Sequence, residues 1–289
     1  MNLILHATTQ DALRRFLAQP SHAVLIEGHT GSGKGSLAAY IASSVLKIDS
    51  KTLFRHPFFQ LVTPVDGVIT IEAIRSVQRF MRLKTVGKTE TIRRILIVED
   101  VQTMTLEAQN AFLKLLEEPP ADTLILLTVV NQSVLLPTIR SRVQYIRMHA
   151  PSKPDLERFF SLQNFSAKDI SRTFHISQGQ VGLMSALLAE DRQHPLIVQI
   201  EQAKKLLSMP VFERLAAADQ LAKQRVEVQQ LVDALQLVIH AALVQASAKS
   251  QLATVKRWHR SLGYLTKAQK KLTANPNLKL VMTDLLLHV

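Results

Sequence analysis

The chain has 289 residues, 47% of them hydrophobic, and its 35 lysines and arginines outnumber 23 acids for a formal charge of +12. That length suits two or three domains with sizeable cores. The lack of cysteine excludes disulfides and thiolate metal sites, and no uninterrupted apolar run reaches the length of a membrane span.

The opening stretch, MNLILHATTQDALRRFL, has a brief apolar run followed by His and Thr with no small-residue cleavage site. It reads as the start of the fold rather than a signal peptide, and the lack of cysteine is compatible with a cytosol. From there to about residue 150 strand-like and helical segments alternate. AVLIEG (23–28) is a short apolar run ending in glycine, and SLAAYIASSVL (36–46) follows as a helix. FFQLV (58–62) predicts a strand, and TIEAIRSVQRFMRL (70–83) spaces Ile71, Ile74, Val77 and Phe80 at helical intervals. RRILIVED (93–100) is a third strand, ending in acids. TLEAQNAFLKLLEEPP (105–120) is a helix capped by Thr105 and stopped by paired prolines. TLILLTVV (123–130) and VQYIRM (143–148) complete five strands. Strand and helix in turn predict a parallel sheet covered on both faces.

After APSKP (150–154) the pattern predicts helices alone: short ones over 155–189, with SQGQVG (177–182) as a turn, then longer amphipathic ones at 196–207, 210–223, 226–247, 251–273 and 278–288. The predicted fold is an α/β core over 1–150, a small helical lid over 151–205 and an all-α C-terminal part over 206–289 that would serve as an oligomerisation domain. The charge lacks any run of five or six basic residues, so it is spread over folded surfaces and suits a polyanionic partner.

Four of the nine glycines, Gly28, Gly31, Gly33 and Gly35, fall within eight residues between a predicted strand and a predicted helix. Gly28, Gly33 and Lys34 complete G-x-x-x-x-G-K, a phosphate loop whose backbone N–H groups close on phosphate oxygens while the lysine reaches the terminal phosphates. ATP or ADP suits such a loop. The next position should supply a hydroxyl for Mg²⁺ and is Gly35; Ser36 brings the hydroxyl one step late, rotated by about 100°, so Mg²⁺ is left open. Glu99 and Asp100 end a strand where a metal-holding and a water-activating acid are expected, in inverted order. A misplacement of about an ångström costs on the order of 100-fold in rate. Asn131 is either a water-orienting group or a turn residue. Arg140 and Arg142 flank Ser141 and form either surface ion pairs or an arginine that reaches a neighbour's phosphates.

The stretch RRILIVEDVQTMTLEAQNAFLKLLEEPPADTLILLTVVNQSVLLPTIRSR resembles the core of AAA+ clamp-loader subunits of bacterial DNA polymerase III, with SRV where that family usually has Ser-Arg-Cys. HPFFQLV, ITIEAIRSVQRF and the final NPNLKLVMTDLLLHV fit the same family, the last most like its delta-prime branch. The resemblance implies a core, a lid and a collar that joins five subunits, including gamma/tau and delta types, into a ring. That ring, part of the polymerase holoenzyme, opens the sliding clamp on primed DNA using ATP. It also implies that Arg142 is a finger acting in trans on an adjacent subunit's ATP, and that the protein is bacterial, cytoplasmic and free of membranes. Departures follow. The family's four-cysteine zinc module is absent, so no metal site is expected, and Gly182 stands where the lid of the ATPase subunits has a nucleotide-sensing arginine. Gly35, the inverted acids and Gly182 favour a ring subunit that hydrolyses ATP weakly or not at all over an active gamma/tau-type ATPase.

Overall fold

The computed structural model describes residues 3–83, 92–223, 225–273 and 277–289, grouped in two compact units. One unit runs to Leu156 and also takes in Gln180–Gly182; the other holds Glu157–Gly179 and Leu183–Val289.

The first unit is built on β1 (Ala23–Glu27), β2 (Phe59–Val62), β3 (Arg94–Val98), β4 (Thr123–Val129) and β5 (Gln144–Arg147), all parallel in the order β2-β3-β4-β1-β5. The side-chain period of two divides the apolar strands between two cores. Val24, Ile26, Ile95, Ile97, Leu124 and Leu126 face one side, covered by α1 (Ala7–Ala18), α2 (Lys34–Leu46) and α3 (Ser50–Leu53) through Phe16, Leu37, Ile41 and Leu53. Leu25, Leu96, Val98, Ile125, Leu127 and Val129 face the other, covered by α4 (Ile71–Met81), α5 (Leu106–Glu117) and α6 (Pro137–Arg140) through Ile74, Val77, Phe112 and Ile139. Burial on both faces is why β1, β3 and β4 read as continuous apolar runs rather than as alternating ones. Each large apolar side chain so buried contributes about 1.5–3 kcal/mol.

Two local devices fix the helices on the second face. Thr105 Oγ1 accepts the Ala108 N–H and caps α5 as its sequence predicts. Arg94, only 2% exposed although it lies in β3, donates to the carbonyls of Met81 and Leu83 at the end of α4, with the Asp122 carboxylate 4.0 Å away and the Phe80 ring centroid 5.6 Å away. A cation at the negative end of a helix complements its dipole.

The helical region continues with α7 (Lys153–Ser161), α8 (Ala167–Ser177), α9 (Val181–Leu188), α10 (Pro195–Ser208), α11 (Val211–Leu221), α12 (Arg225–Ala248), α13 (Leu252–Thr273) and α14 (Leu278–His288). Among the described residues no strand follows residue 147, in line with the sequence pattern. The second unit has one continuous core, running from Leu183 through Ile200, Leu231 and Leu265 to Leu286. Only α12, among the described residues, is long and apolar enough to cross a membrane by length and composition, although polar residues interrupt its apolar run. Its Val228, Leu231, Val232, Leu235 and Ile239 are buried in that core. Asp233 on the same helix is held by Gln229 Nε2 and by Gln269 Nε2 of α13, each 3.1 Å from its Oδ1. Burial raises its pKa above the ordinary aspartate range, against the pull of the two amides. Residues 275 and 276, which open the NPNLKLVMTDLLLHV stretch, lie outside the described residues.

Candidate functional site

The glycine loop leaves the carboxyl end of β1 and enters α2, in the crevice where open α/β sheets bind ligands. The Gly28 N–H donates to Val129 O at 3.1 Å, tying the loop to the end of the neighbouring β4. Gly31 and Gly33 take φ values of +82° and +91°, left-handed conformations that explain glycine at both places. The backbone is thus shaped as a phosphate cradle at a helix N-terminus.

Its contents differ from what the motif promises. Lys34 is 8% exposed, and its Nζ donates to Gly28 O at 3.0 Å and His29 O at 3.2 Å, so the ammonium is engaged by its own loop. Burial lowers its pKa below the usual lysine value, opposed by the charges of Asp100 and Glu99. Glu99 is raised above the usual carboxylate range by burial and by its neighbour Asp100, while Lys34 pulls it back. Lys34 and the acid pair therefore lie close enough to act on one another electrostatically.

Gly35 and Glu99 turn out to be two halves of one arrangement. A Cβ built on Gly35 would stand 2.3 Å from Glu99 Oε1, so the carboxylate fills the space that a metal-holding Ser or Thr needs. Ser36 sits half-buried one residue further along α2. Gly182 belongs to the same compact unit, and a Cβ there would meet Gly31 O at 2.8 Å and Gly33 N at 3.2 Å. The sequence presents the bare Gly35, the inverted acids and Gly182 as three separate departures. Spatially they converge on the glycine loop, where each is tied to close packing.

Residues outside the recognised motifs hold the acids in place. Asp100 has φ +51°, a conformation that aspartate tolerates better than most side chains. Its N–H donates to Thr128 Oγ1 at 3.0 Å, and its Oδ1 accepts from Gln102 Nε2 at 3.1 Å. Gln102 Oε1 in turn accepts the Val130 N–H at 3.3 Å. The available signal was Thr128, a lone hydroxyl late in an apolar strand.

Asn131 is exposed and its Oδ1 accepts the Ser133 N–H at 2.9 Å, which commits that oxygen to a turn. Glu27 Oε1 accepts the next N–H, from Gln132, at 2.9 Å. Arg140 is exposed at the end of α6, whereas Arg142 is half-buried and pairs with Glu117 Oε1 of α5 at 3.0 Å, with a further bond from Nη1 to Thr138 O at 3.0 Å. Arg142 thus takes its partners from α5 and α6.

For a nucleotide the fit is divided. The backbone cradle and Lys34 suit phosphate, while the position that should carry the metal-binding hydroxyl is taken by the Glu99 carboxylate. Among the described residues no group of three or more His, Asp or Glu is arranged to hold a metal ion.

Comparison with known proteins agrees with the sequence resemblance. A family model described as DNA polymerase III, delta subunit, matches residues 12–152. A DNA polymerase III subunit delta′ of Pseudomonas aeruginosa is 32% identical over 143 residues, covering 43% of this chain and 42% of that protein. The Bacillus subtilis subunit delta′ is 31% identical over 159 residues, covering 50% of this chain and 45% of that protein. The matched stretches thus span less than half the length of either relative. Among solved structures, a DNA polymerase III gamma subunit-related protein from Thermotoga maritima superposes with a TM-score of 0.55 at 21% identity, over 96% of this chain and 97% of that one. That likeness shows the fold, a parallel sheet with helices on both faces followed by an all-helical part.

Proposed function

We propose, from a core that matches the DNA polymerase III delta-subunit family over residues 12–152, that this chain is a clamp-loader subunit of the delta-prime kind. In this reading it is a fixed member of a hetero-oligomeric AAA+ ring that places a sliding clamp on primed DNA. Gamma/tau- and delta-type subunits are its neighbours, and the bacterial cytoplasm is its location. The core over 1–150, lid over 151–205 and collar over 206–289 would divide these tasks, with the collar holding the ring together. The chain itself would grip ATP or ADP weakly and leave hydrolysis to its neighbours.

One observation carries this reading: the Glu99 carboxylate occupies the place beside Gly35 where a metal-holding hydroxyl would have to stand. Lys34 supports it, since its ammonium is turned onto the carbonyls of Gly28 and His29. Gly182 adds a third support, leaving no room for a sensing arginine at that position. Arg142 is the residue through which the chain would act on others. Its guanidinium is held near the surface by a pair with Glu117, at side-chain exposures of 36% and 48%, and pairs that open to solvent contribute at most about 1 kcal/mol. It can therefore leave Glu117 for a phosphate at low cost. An arginine finger contributes roughly 10³–10⁵-fold to hydrolysis at the site it serves.

Two measurements test the reading. ATP turnover by the purified chain is expected to stay at background with or without Mg²⁺, and robust turnover abolished by Lys34→Ala would overturn it. In a reconstituted loader, Arg142→Ala is expected to leave assembly intact and to lower ATPase activity by at least about 10-fold at the served site. Unchanged activity would remove the finger role.

A further inference from the structure

α13 carries six lysines and arginines and no acid, so this one helix supplies half of the chain's net charge of +12. At 100° per residue, Lys256, Arg260, Lys267, Lys270 and Lys271 share an arc of about 100° and span about 22 Å of helix. The buried side of the helix lies opposite, through Ser261, Leu265, Ala268 and Leu272. Like charges three and four residues apart weaken a helix, and no acid on α13 offsets them. Lys271 is paired with Asp284 of α14 at 2.8 Å. Lys256, Arg260 and Lys267 are exposed, and among the described residues no carboxylate lies within 4.0 Å of their charged groups.

We propose that the exposed face of α13 is a docking surface for the phosphate backbone of double-stranded DNA, centred on Lys256, Arg260 and Lys267. A row of cations on a helix that has no acid of its own complements a polyanion that carries one charge per ~1.7 Å of axis. Insertion into a lipid surface is disfavoured because the apolar side of α13 is already used in the core. Stacking on unpaired bases is disfavoured too. Trp258 has the Arg257 guanidinium 4.8 Å from its ring centroid, and Tyr264 is stacked on His288 with centroids 4.1 Å apart. Gly263 lies within the row, and a Cβ there would meet nothing within 4 Å, so a backbone can approach the helix closely. The face deepens the replication reading by giving this chain its own contact with DNA; the choice of DNA rests on that reading, while the cationic face does not.

The test uses the full chain and a fluorescently labelled DNA duplex, titrated at 50 and 200 mM salt. Three phosphate contacts correspond to a salt slope near −2.7, so affinity should fall about 40-fold between those concentrations. The variant K256A/R260A/K267A, folded as judged by circular dichroism, should bind at least about 10-fold more weakly at 50 mM and lose most of that salt dependence. A control with equal charge loss elsewhere, R14A/K51A/K168A, should bind like the parent. Equal loss in both triple variants would overturn the assignment in favour of overall charge. Unchanged duplex binding by the α13 variant would overturn it as well. Capture by anionic phosphatidylserine vesicles that depends on the same three residues, without duplex binding, would assign the face to membranes instead. None of these results touches the ATP-turnover test, so the two readings fail separately.

Discussion

Gly182→Ala adds one methyl group, and the structure places it against backbone on two sides. The new Cβ would stand 2.8 Å from Gly31 O, 3.2 Å from Gly33 N and 3.4 Å from Gly31 C. These are main-chain atoms of a loop already fixed by left-handed glycines at 31 and 33, so no flexible side chain can swing aside. Overpacking of this kind costs typically about 1–3 kcal/mol. Against it stands the helix-propensity gain of alanine over glycine, at most about 1 kcal/mol and smaller at the second residue of α9. The net expectation is a loss of about 1–2 kcal/mol, or a fall in Tm of roughly 2–8 °C. Gly263→Ala is the matched comparison: its Cβ would meet nothing within 4 Å in the middle of α13, so propensity alone predicts a gain of up to about 1 kcal/mol. Calorimetric scans of parent and both variants would show the two alanines moving Tm in opposite directions. If Gly182→Ala were as stable as the parent, the close approach of residue 182 to the glycine loop would be refuted. So would the steric reason for the missing arginine, whose Cβ needs the same space.

Two further substitutions probe the packing. Arg94→Met removes the buried cation that joins β3 to the carbonyls ending α4 and should cost about 3–5 kcal/mol in urea unfolding; a loss below 1 kcal/mol would show that the cation is not needed there. For Asp233 the raised folded-state pKa means that the native state holds the proton more tightly than the unfolded chain. Its contribution to stability is therefore present below the ordinary aspartate pKa near ~4 and is lost as pH rises through the folded value. Asp233→Asn keeps an acceptor for Gln229 and Gln269 while removing the charge, so urea midpoints of the variant should decline less than the parent's as pH rises from about 4 to 7.

Much of the core was legible in the residues themselves. AVLIEG, RRILIVED and TLILLTVV are apolar on both strand faces, so their burial between two helical layers follows from composition alone. Thr105 announced the start of α5, and the last helix spans residues 278–288 as its pattern predicts. The short α3 escaped because one turn leaves too few residues to establish a period. The site was half legible. G-x-x-x-x-G-K located the cradle, and the strand-end acids located its partners, because those patterns are local. That Glu99 lies where a side chain on Gly35 would go joins residues 64 positions apart, and the approach of Gly182 to Gly31 spans a still longer separation. Sequence spacing carries no record of such contacts; it shows only that a glycine and a glutamate stand where other residues were expected.

The position of Lys34 has a consequence for any ligand of this loop. Its ammonium already has two acceptors, Gly28 O and His29 O, and a hydrogen bond from a charged donor contributes about 1.5–3 kcal/mol. An incoming phosphate is therefore in competition with the loop itself, and displacing even one of these carbonyls would weaken its apparent affinity by roughly 10- to 150-fold. Shortening Glu99 would open the metal side of the cradle and leave this internal competitor where it is. Regaining tight nucleotide affinity would call for a different backbone path through Gly28 and His29, a change in loop conformation rather than in any one side chain.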